Sequence, residues 1–164
     1  INVSGRQFSE VQFLDHLEVT RAKYGVAAQN IKLEITERVM MEGPQAISTL
    51  EACRQMGYRL AIDDFGTGFS SMQYLSQMPL TDLKIDRSFV IRMLNDQKSL
   101  SVVKSLIHMA FLLDLDVIAE GLETEPQIEL IRELGVKMGQ GYFFSAPMPL
   151  SSFLTLTEKV KKAV

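Results

Sequence analysis

The chain has 164 residues, of which 46% are hydrophobic and 23% charged, as expected for one globular domain with a sizeable core. Its formal charge of −3 excludes a strongly basic nucleic-acid-binding surface, and no apolar run reaches the roughly 20 residues needed to span a bilayer. With Cys53 as the single cysteine and no signal-peptide pattern, we expect a cytoplasmic protein or the cytoplasmic part of a membrane-anchored parent.

Apolar runs of strand length alternate with amphipathic stretches along the chain. Six strands are predicted, at 1–3, 31–35, 59–62, 82–85, 117–119 and 137–139. Helices are predicted at 9–23, 44–56, shortly after Ser70, at 99–113, at 124–134 and from Pro149 to the C-terminus. Ser9 is expected to cap the first helix, and Ser151 or Ser152 the last.

This βα alternation predicts an α/β fold with a parallel sheet covered by helices. A closed (β/α)₈ barrel needs eight units and typically about 250 residues. Six units therefore predict either an open sheet or a TIM-type barrel that lacks its first two βα units.

Polar side chains stand at or just beyond the C-terminal end of every predicted strand. They are Asn2, Glu34, Glu37, Asp63, Asp64, Lys84, Asp86, Glu120, Glu123 and Gln140. Active sites of parallel sheets and barrels form at this rim. One acid at one strand end is explained as a helix cap, whereas agreement among six strand ends indicates a functional site.

The candidate ligands are all oxygen donors, because His16 and His108 fall within predicted helices. Hard oxygen ligands favour Mg²⁺ or Mn²⁺ over Zn²⁺. Asp63, next to Asp64, would bridge two ions, and two ions about 3.5–4 Å apart suit hydrolysis of a phosphate ester. Lys84 would hold the attacking water or stabilise developing negative charge. The alternative for Lys84 is a buried ion pair with one of the acids.

A glycine-rich turn follows the two acids. Its residues are Phe65, Gly66, Thr67, Gly68 and Ser70. The glycines permit positive φ and let the loop fold tightly over the rim. Asp-Phe-Gly also occurs in protein kinases, but the chain has no kinase Gly-rich loop and no catalytic-loop motif. We expect the loop to tune metal occupancy, with Glu37 anchoring Thr67 or Ser70.

Six segments, in order, resemble motifs of the EAL-domain cyclic di-GMP phosphodiesterases of bacteria. They are NVS at 2–4, LEITE at 33–37, DDFGTGFSS at 63–71, LKID at 83–86, AEGLET at 119–124, and QGYFF at 140–144 with Pro147. The resemblance implies a TIM-type barrel over 1–164 and hydrolysis of cyclic di-GMP to linear 5′-pGpG with two Mg²⁺ or Mn²⁺ ions. It also implies a place in the control of biofilm formation and motility.

The resemblance assigns a role to each matching position. One metal would be held by Asn2, Glu34 and Asp63, and the second by Asp63, Asp64 and Glu120. The catalytic residues would be Lys84, which contacts the hydrolytic water, and Glu120, a proton acceptor supported by Glu123. The residues near the substrate would be Gln140, Phe144 and Pro147. Glu37 would brace the loop after Asp64, which the family links to regulation and to a homodimer.

The Glu-Ala-Leu motif that names the family is absent from the 164 residues. We interpret the chain as the C-terminal two-thirds of a longer domain, whose parent is expected to carry diguanylate cyclase or sensory domains. On that interpretation the chain alone is weakly active or inactive. The alternative is a module that binds cyclic di-GMP, or a protein partner, without cleavage. An enolase-like metal enzyme is disfavoured, because the tandem acids and the QGYFF segment do not resemble one.

Overall fold

The structure is a computed structural model that describes residues 1–10, 12–42, 44–66 and 72–163. Six strands form one sheet: β1 Asn2–Val3, β2 Lys32–Thr36, β3 Arg59–Phe65, β4 Asp82–Ile85, β5 Asp116–Glu120 and β6 Met138–Gln140. They pair in chain order, and each of the five pairings is parallel. The predicted α/β fold with a parallel sheet is confirmed. Within the described ranges β1 and β6 are the two edges, so the sheet is an open part of a barrel-like arrangement.

Helices connect the strands. The α-helices are α1 Gly5–Phe8, α2 Phe13–Lys23, α3 Pro44–Gln55, α4 Met72–Gln77, α5 Arg87–Arg92, α6 Gln97–Leu112, α7 Glu125–Glu133 and α8 Leu150–Ala163. Short 3₁₀ helices cover Ala28–Asn30 and Glu37–Glu42. Among the described residues, no helix combines the length and the apolar character needed to cross a bilayer.

The predicted helix caps at Ser9, Ser151 and Ser152 are wrong. Ser4 is the residue that caps α1, because its hydroxyl accepts from the Gln7 backbone N–H while the Gln7 side chain accepts from the Ser4 N–H. Ser9 lies at the C-terminal end of α1. The two later serines fall inside α8, which begins at Leu150.

The short helix α5 is not among the predicted elements, although its cap is visible in the sequence. Asp86 ends the LKID segment, and its carboxylate accepts the backbone N–H of Ser88 at 2.9 Å. A six-residue helix is too short to show the apolar period that identifies a helix in a sequence. This helix matters because its first residue, Arg87, borders the pocket described below.

Strand residues alternate between an outer face covered by helices and an inner face. The outer residues are buried and apolar: Leu33, Ile35, Leu60, Ile62, Leu83, Ile85, Val117 and Ala119. They belong to two hydrophobic clusters, one that includes residues of α1 and α3 and one that includes residues of α5, α6 and α7. The inner face of β4 carries two charged residues instead, Asp82 and Lys84, and both are buried.

A cluster of ion pairs joins the N-terminal ends of β2, β3, β4 and β5. The Asp82 carboxylate is fully buried and contacts the Lys32 ammonium at 2.9 Å and the Arg59 guanidinium at 2.7 Å. The Thr81 hydroxyl donates to it at 2.6 Å, and Arg59 also pairs with Asp116. Burial alone would raise the pKa of Asp82, but hydrogen bonds from Arg59, Thr81 and Lys32 outweigh burial and lower it.

We expect Asp82→Asn to lower the free energy of unfolding by about 3–5 kcal/mol at neutral pH, because it leaves two cations beside an uncharged buried group. Chemical denaturation measures this change. Asp116→Asn is the matched control, since that carboxylate is 58% exposed and its loss should cost less than about 1 kcal/mol. Equal losses in the two variants would contradict the assignment of Asp82 as the centre of the cluster.

The stability difference between the wild type and Asp82→Asn should also depend on pH. Because the pKa of Asp82 is lowered in the folded state, its contribution is complete above the unfolded-state pKa of about 3.9 and is lost as the pH falls below it. The stability difference between the wild type and Asp82→Asn should therefore shrink below about pH 4. Denaturation curves at several acidic pH values test this, and a difference independent of pH would refute it.

Candidate functional site

Lys84 lies at the centre of the C-terminal ends of the strands. Its side chain is 4% exposed, and its ammonium contacts Glu34 at 2.7 Å, Asp63 at 2.9 Å and Glu120 at 2.7 Å. These carboxylates come from β2, β3 and β5, on both sides of β4. The alternative prediction for Lys84, a buried ion pair with one acid, is thus confirmed, and the structure adds two more acids. One ammonium pairs with carboxylates from three strands.

The ammonium of Lys84 is held in its charged form. Burial by itself would lower the pKa of Lys84, but hydrogen bonds to Asp63, Glu120 and Glu34 outweigh it and raise the pKa above its ordinary value. An ammonium has three N–H donors, and three carboxylates use them. Lys84 therefore cannot serve as a base, and it can donate to a water only when one carboxylate turns away.

Three acids converge at this rim. One carboxylate oxygen from each of Asp63, Asp64 and Glu120 lies within 4.8 Å of the others. Successive strand residues normally point to opposite faces, so tandem acids need an irregular backbone to meet. The register of β3 against β4 shifts between Ile62 and Phe65, and Asp64 has a left-handed φ of 55°. These two irregularities bring neighbouring acids into one cluster.

The convergence has an electrostatic cost. Burial raises the pKa of Asp64, and the charges of Asp63 and Asp86 add to the rise. Burial likewise raises the pKa of Glu120, against the opposing effect of Lys84. A divalent cation would relieve this repulsion. The carboxylate donors suit Mg²⁺ or Mn²⁺, so the residues present fit the predicted metal.

Two further predicted ligands, Asn2 and Glu34, stand side by side. The register pairs them across β1 and β2, on the same face of the sheet. Glu34 contacts the Lys84 ammonium and is not one of the three acids whose carboxylate oxygens lie within 4.8 Å of one another. Asn2 is exposed beside it. The structure therefore brings these two residues to the correct rim, and their role as ligands stays a prediction.

A pocket of about 820 Å³ opens beside Glu120. Gln140 stands where the cluster and the pocket meet, and its side-chain amide donates to the Glu120 carboxylate. The predicted residues that border the pocket are Glu120, Glu123, Gln140, Phe144 and Pro147. Sequence reasoning missed Arg87, Tyr142, Met148, Leu150, Phe153 and Leu156. The apolar spacing of α8 was the available signal for the last three, but it did not indicate what the helix faces.

Gln140 is the register partner of Glu120 across β5 and β6, and Gly141 lets the chain beyond Gln140 pack against Leu122. A Cβ at this position would lie 2.0 Å from the Leu122 carbonyl oxygen, so only glycine permits the approach. Backbone bonds complete the contact: Leu122 N–H donates to Gln140 at 3.1 Å, and Phe143 N–H donates to Leu122 at 3.0 Å. The loops after β5 and β6 are thereby fixed against each other.

Glu37 contacts the start of the glycine-rich turn at Gly66, and its predicted contact with Thr67 or Ser70 falls outside the described residues. Its carboxylate accepts the Gly66 backbone N–H at 2.8 Å. Phe65, next to Gly66, is 2% exposed and belongs to the hydrophobic core. Three residues of the predicted turn lie outside the described residues: Thr67, Gly68 and Ser70.

Comparison with known proteins assigns the chain to a protein family. A family model described as the EAL domain matches residues 1–147. The cyclic di-GMP phosphodiesterase NbdA of Pseudomonas aeruginosa is 39% identical over 153 residues, which are 93% of this chain and 20% of that protein. The chain spans about a fifth of the length of the first curated relatives it matches.

Solved structures agree with the fold. The EAL enzyme Bd1971, in its cAMP and cyclic-di-GMP bound form, shares 54% identity and a TM-score of 0.93 over 95% of this chain and 42% of that chain. The EAL domain of Mycobacterium smegmatis DcpA shares 34% identity and a TM-score of 0.92 over 97% of this chain and 72% of that chain. These likenesses confirm the barrel-like α/β architecture.

We expect Lys84→Met to destabilise the metal-free protein by about 3–5 kcal/mol, because three acids then share a rim without a buried cation. Added Mn²⁺ should raise the unfolding temperature of this variant more than that of the wild type. In the variant, Mn²⁺ no longer competes with the Lys84 ammonium for the carboxylate oxygens. Thermal unfolding in EDTA and in MnCl₂ measures both effects. Lys104→Met is the control, because Lys104 is exposed on α6. The same Mn²⁺ gain in all three proteins would contradict a shared site.

Proposed function

We propose that this chain, which belongs to the EAL-domain family, forms the active site of a cyclic di-GMP phosphodiesterase that produces linear 5′-pGpG. The observation that carries the proposal is the convergence of Asp63, Asp64 and Glu120 around Lys84, directly beside a pocket of about 820 Å³. A relative named as a cyclic di-GMP phosphodiesterase and a structural neighbour bound to cyclic-di-GMP support the choice of substrate.

The metal would be Mg²⁺ or Mn²⁺. Asp63, Asp64 and Glu120 would hold it, with Glu34 and Asn2 as further oxygen donors in a two-metal site. Bound ions would neutralise phosphate charge and lower the pKa of a water. The protein's contribution is to hold acids from separate strands within reach of one another, and Lys84 does this through its three contacts.

Hydrolysis forms a bond between a water oxygen and phosphorus and breaks the ester bond from phosphorus to the 3′ oxygen, which leaves as a 3′-hydroxyl by taking up the proton that the water releases. We assign the acceptance of the water proton to Glu120, whose carboxylate is oriented by Gln140 and Lys84. When a carboxylate leaves Lys84, the freed N–H donates to the attacking water or to a phosphate oxygen. Glu123 borders the same pocket and supports the proton transfer.

The guanine base would occupy the pocket. Phe144 and Pro147 border it and would supply flat apolar surface, and Gln140, which also borders it, would lie between the phosphate and the base. The same metal-binding rim continues into the glycine-rich turn, where Glu37 holds Gly66. We assign to this turn the control of metal occupancy and the contact of a homodimer, in a cytoplasmic parent that carries cyclase or sensory domains.

The second candidate is a module that binds cyclic di-GMP without cleaving it. One observation favours it: every N–H of Lys84 is engaged by a carboxylate, so none is free for the attacking water. Calorimetry in Ca²⁺ and product analysis in Mn²⁺ with excess protein separate the two candidates. Slow, metal-dependent formation of 5′-pGpG supports the enzyme. Binding without product leaves the binding module, and no binding overturns both.

Asp63→Asn should abolish Mn²⁺-dependent product formation, because it removes a carboxylate charge that would hold both ions. It should also remove most of the Mn²⁺-induced rise in unfolding temperature, which gives a second readout for a slow reaction. Asp114→Asn is the matched control: it precedes β5, at the opposite end of the strands, and asparagine tolerates its left-handed φ of 54°. A variant at Asp63 that keeps most of the rate would show that it does not bridge the metals.

A further inference from the structure

We propose that Arg87 binds the guanine edge of the nucleotide in the pocket beside Glu120 and thereby selects guanine over adenine. This inference rests on the proposed function, because it requires a cyclic dinucleotide in that pocket. It adds a residue that fixes base specificity, whereas the acids and Lys84 act on the phosphate.

The backbone of Arg87 is firmly placed. It is the first residue of α5, directly after Asp86, whose carboxylate accepts the Ser88 N–H at 2.9 Å. A Cβ built on Gly121 would lie 2.6 Å from the Arg87 Cβ, so the stem of Arg87 runs against the backbone next to Glu120. The side chain therefore starts from a fixed point at the edge of the cluster and borders the pocket.

The guanidinium has no counter-charge of its own. Among the described residues that line the pocket, Arg87 is the cation and Glu120 and Glu123 are the acids. Across the described parts of the chain, Arg87 forms no ion pair within 4.0 Å, whereas Arg21 and Arg59 each pair with a carboxylate at 2.7 Å. An exposed guanidinium on a firmly placed backbone, without an ion-pair partner among the described residues, is available to a ligand that presents hydrogen-bond acceptors.

The layout of the pocket favours the base over the phosphate as that ligand group. Asp63 and Asp64, which would carry the metal and its phosphate, do not line the pocket, and Glu120 borders both regions. A phosphodiester held at the acids therefore directs its base past Glu120. The walls there include the aromatic rings of Tyr142 and Phe153, which suit a flat purine.

Guanine matches a guanidinium in a way that adenine does not. Its N7 and O6 are two adjacent acceptors, and Arg donates to both through parallel N–H groups. Adenine has an N6 amino donor in place of O6, which would face the guanidinium donors. Lysine offers a point charge without the two-pronged geometry. The plain alternative is that Arg87 is a hydrated surface residue, in which case its removal leaves nucleotide preference unchanged.

The test measures binding of cyclic di-GMP and cyclic di-AMP by calorimetry, with Ca²⁺ in place of the catalytic metal. Arg87→Met should weaken cyclic di-GMP binding about tenfold to hundredfold while changing cyclic di-AMP binding little. Arg87→Lys should recover only a minor part of the loss. Arg92→Met is the matched control, because it removes the same charge from the same helix and does not line the pocket. Unfolding temperatures establish that each variant is folded.

The other outcomes overturn the inference in distinct ways. Equal weakening of both nucleotides would assign Arg87 to the phosphate, and unchanged binding would make it a hydrated surface residue. Either result leaves the proposed function intact. A wild-type chain that binds neither nucleotide would overturn the proposed function and this inference with it.

Discussion

The contact of one buried ammonium with three carboxylates determines how this site is built. Removing four charges from water is costly, and their mutual attraction offsets that cost only when the geometry is close to ideal. The parallel register of β2 to β5 supplies the geometry, because it brings Glu34, Asp63 and Glu120 within 2.9 Å of Lys84. The arrangement of charges at this end of the sheet therefore depends on strand pairing as much as on any loop.

The two ends of β4 show what distinguishes a structural ion cluster from a functional one. At the N-terminal end, Asp82 and Asp116 face Lys32 and Arg59, so the charges balance. At the C-terminal end, Lys84 is one cation among Glu34, Asp63, Glu120 and the adjoining Asp64. The first cluster needs no ligand. The second carries an excess of negative charge, which a divalent ion can neutralise, and this excess is the electrostatic reason for placing the metal there.

The sequence predicted this rim because parallel strands must end together, so Glu34, Lys84 and Glu120 could be placed without coordinates. Strand β4 was predicted with its observed bounds from the alternation of strand-length and amphipathic segments along the chain. Three features were not predicted from the sequence. The contact of Lys84 with three carboxylates depends on strand register, and the left-handed φ of Asp64 depends on a local irregularity of β3. The pocket depends on contact between α8 and the loop that follows β6. The cap at Ser9 failed because the Ser4–Gln7 capping box starts a helix earlier.

The tandem acids connect the acidic rim to Gly66 through a closed series of contacts. Asp63 touches Lys84, Lys84 touches Glu34 on β2, and β2 leads directly into the 3₁₀ helix that starts at Glu37. Glu37 then holds the backbone of Gly66, two residues beyond the left-handed Asp64. Backbone strain of this kind persists only where surrounding contacts enforce it. Any group that drew Asp63 away from Lys84 would therefore act on a strand end that Glu37 also holds, through its contact with the Gly66 backbone.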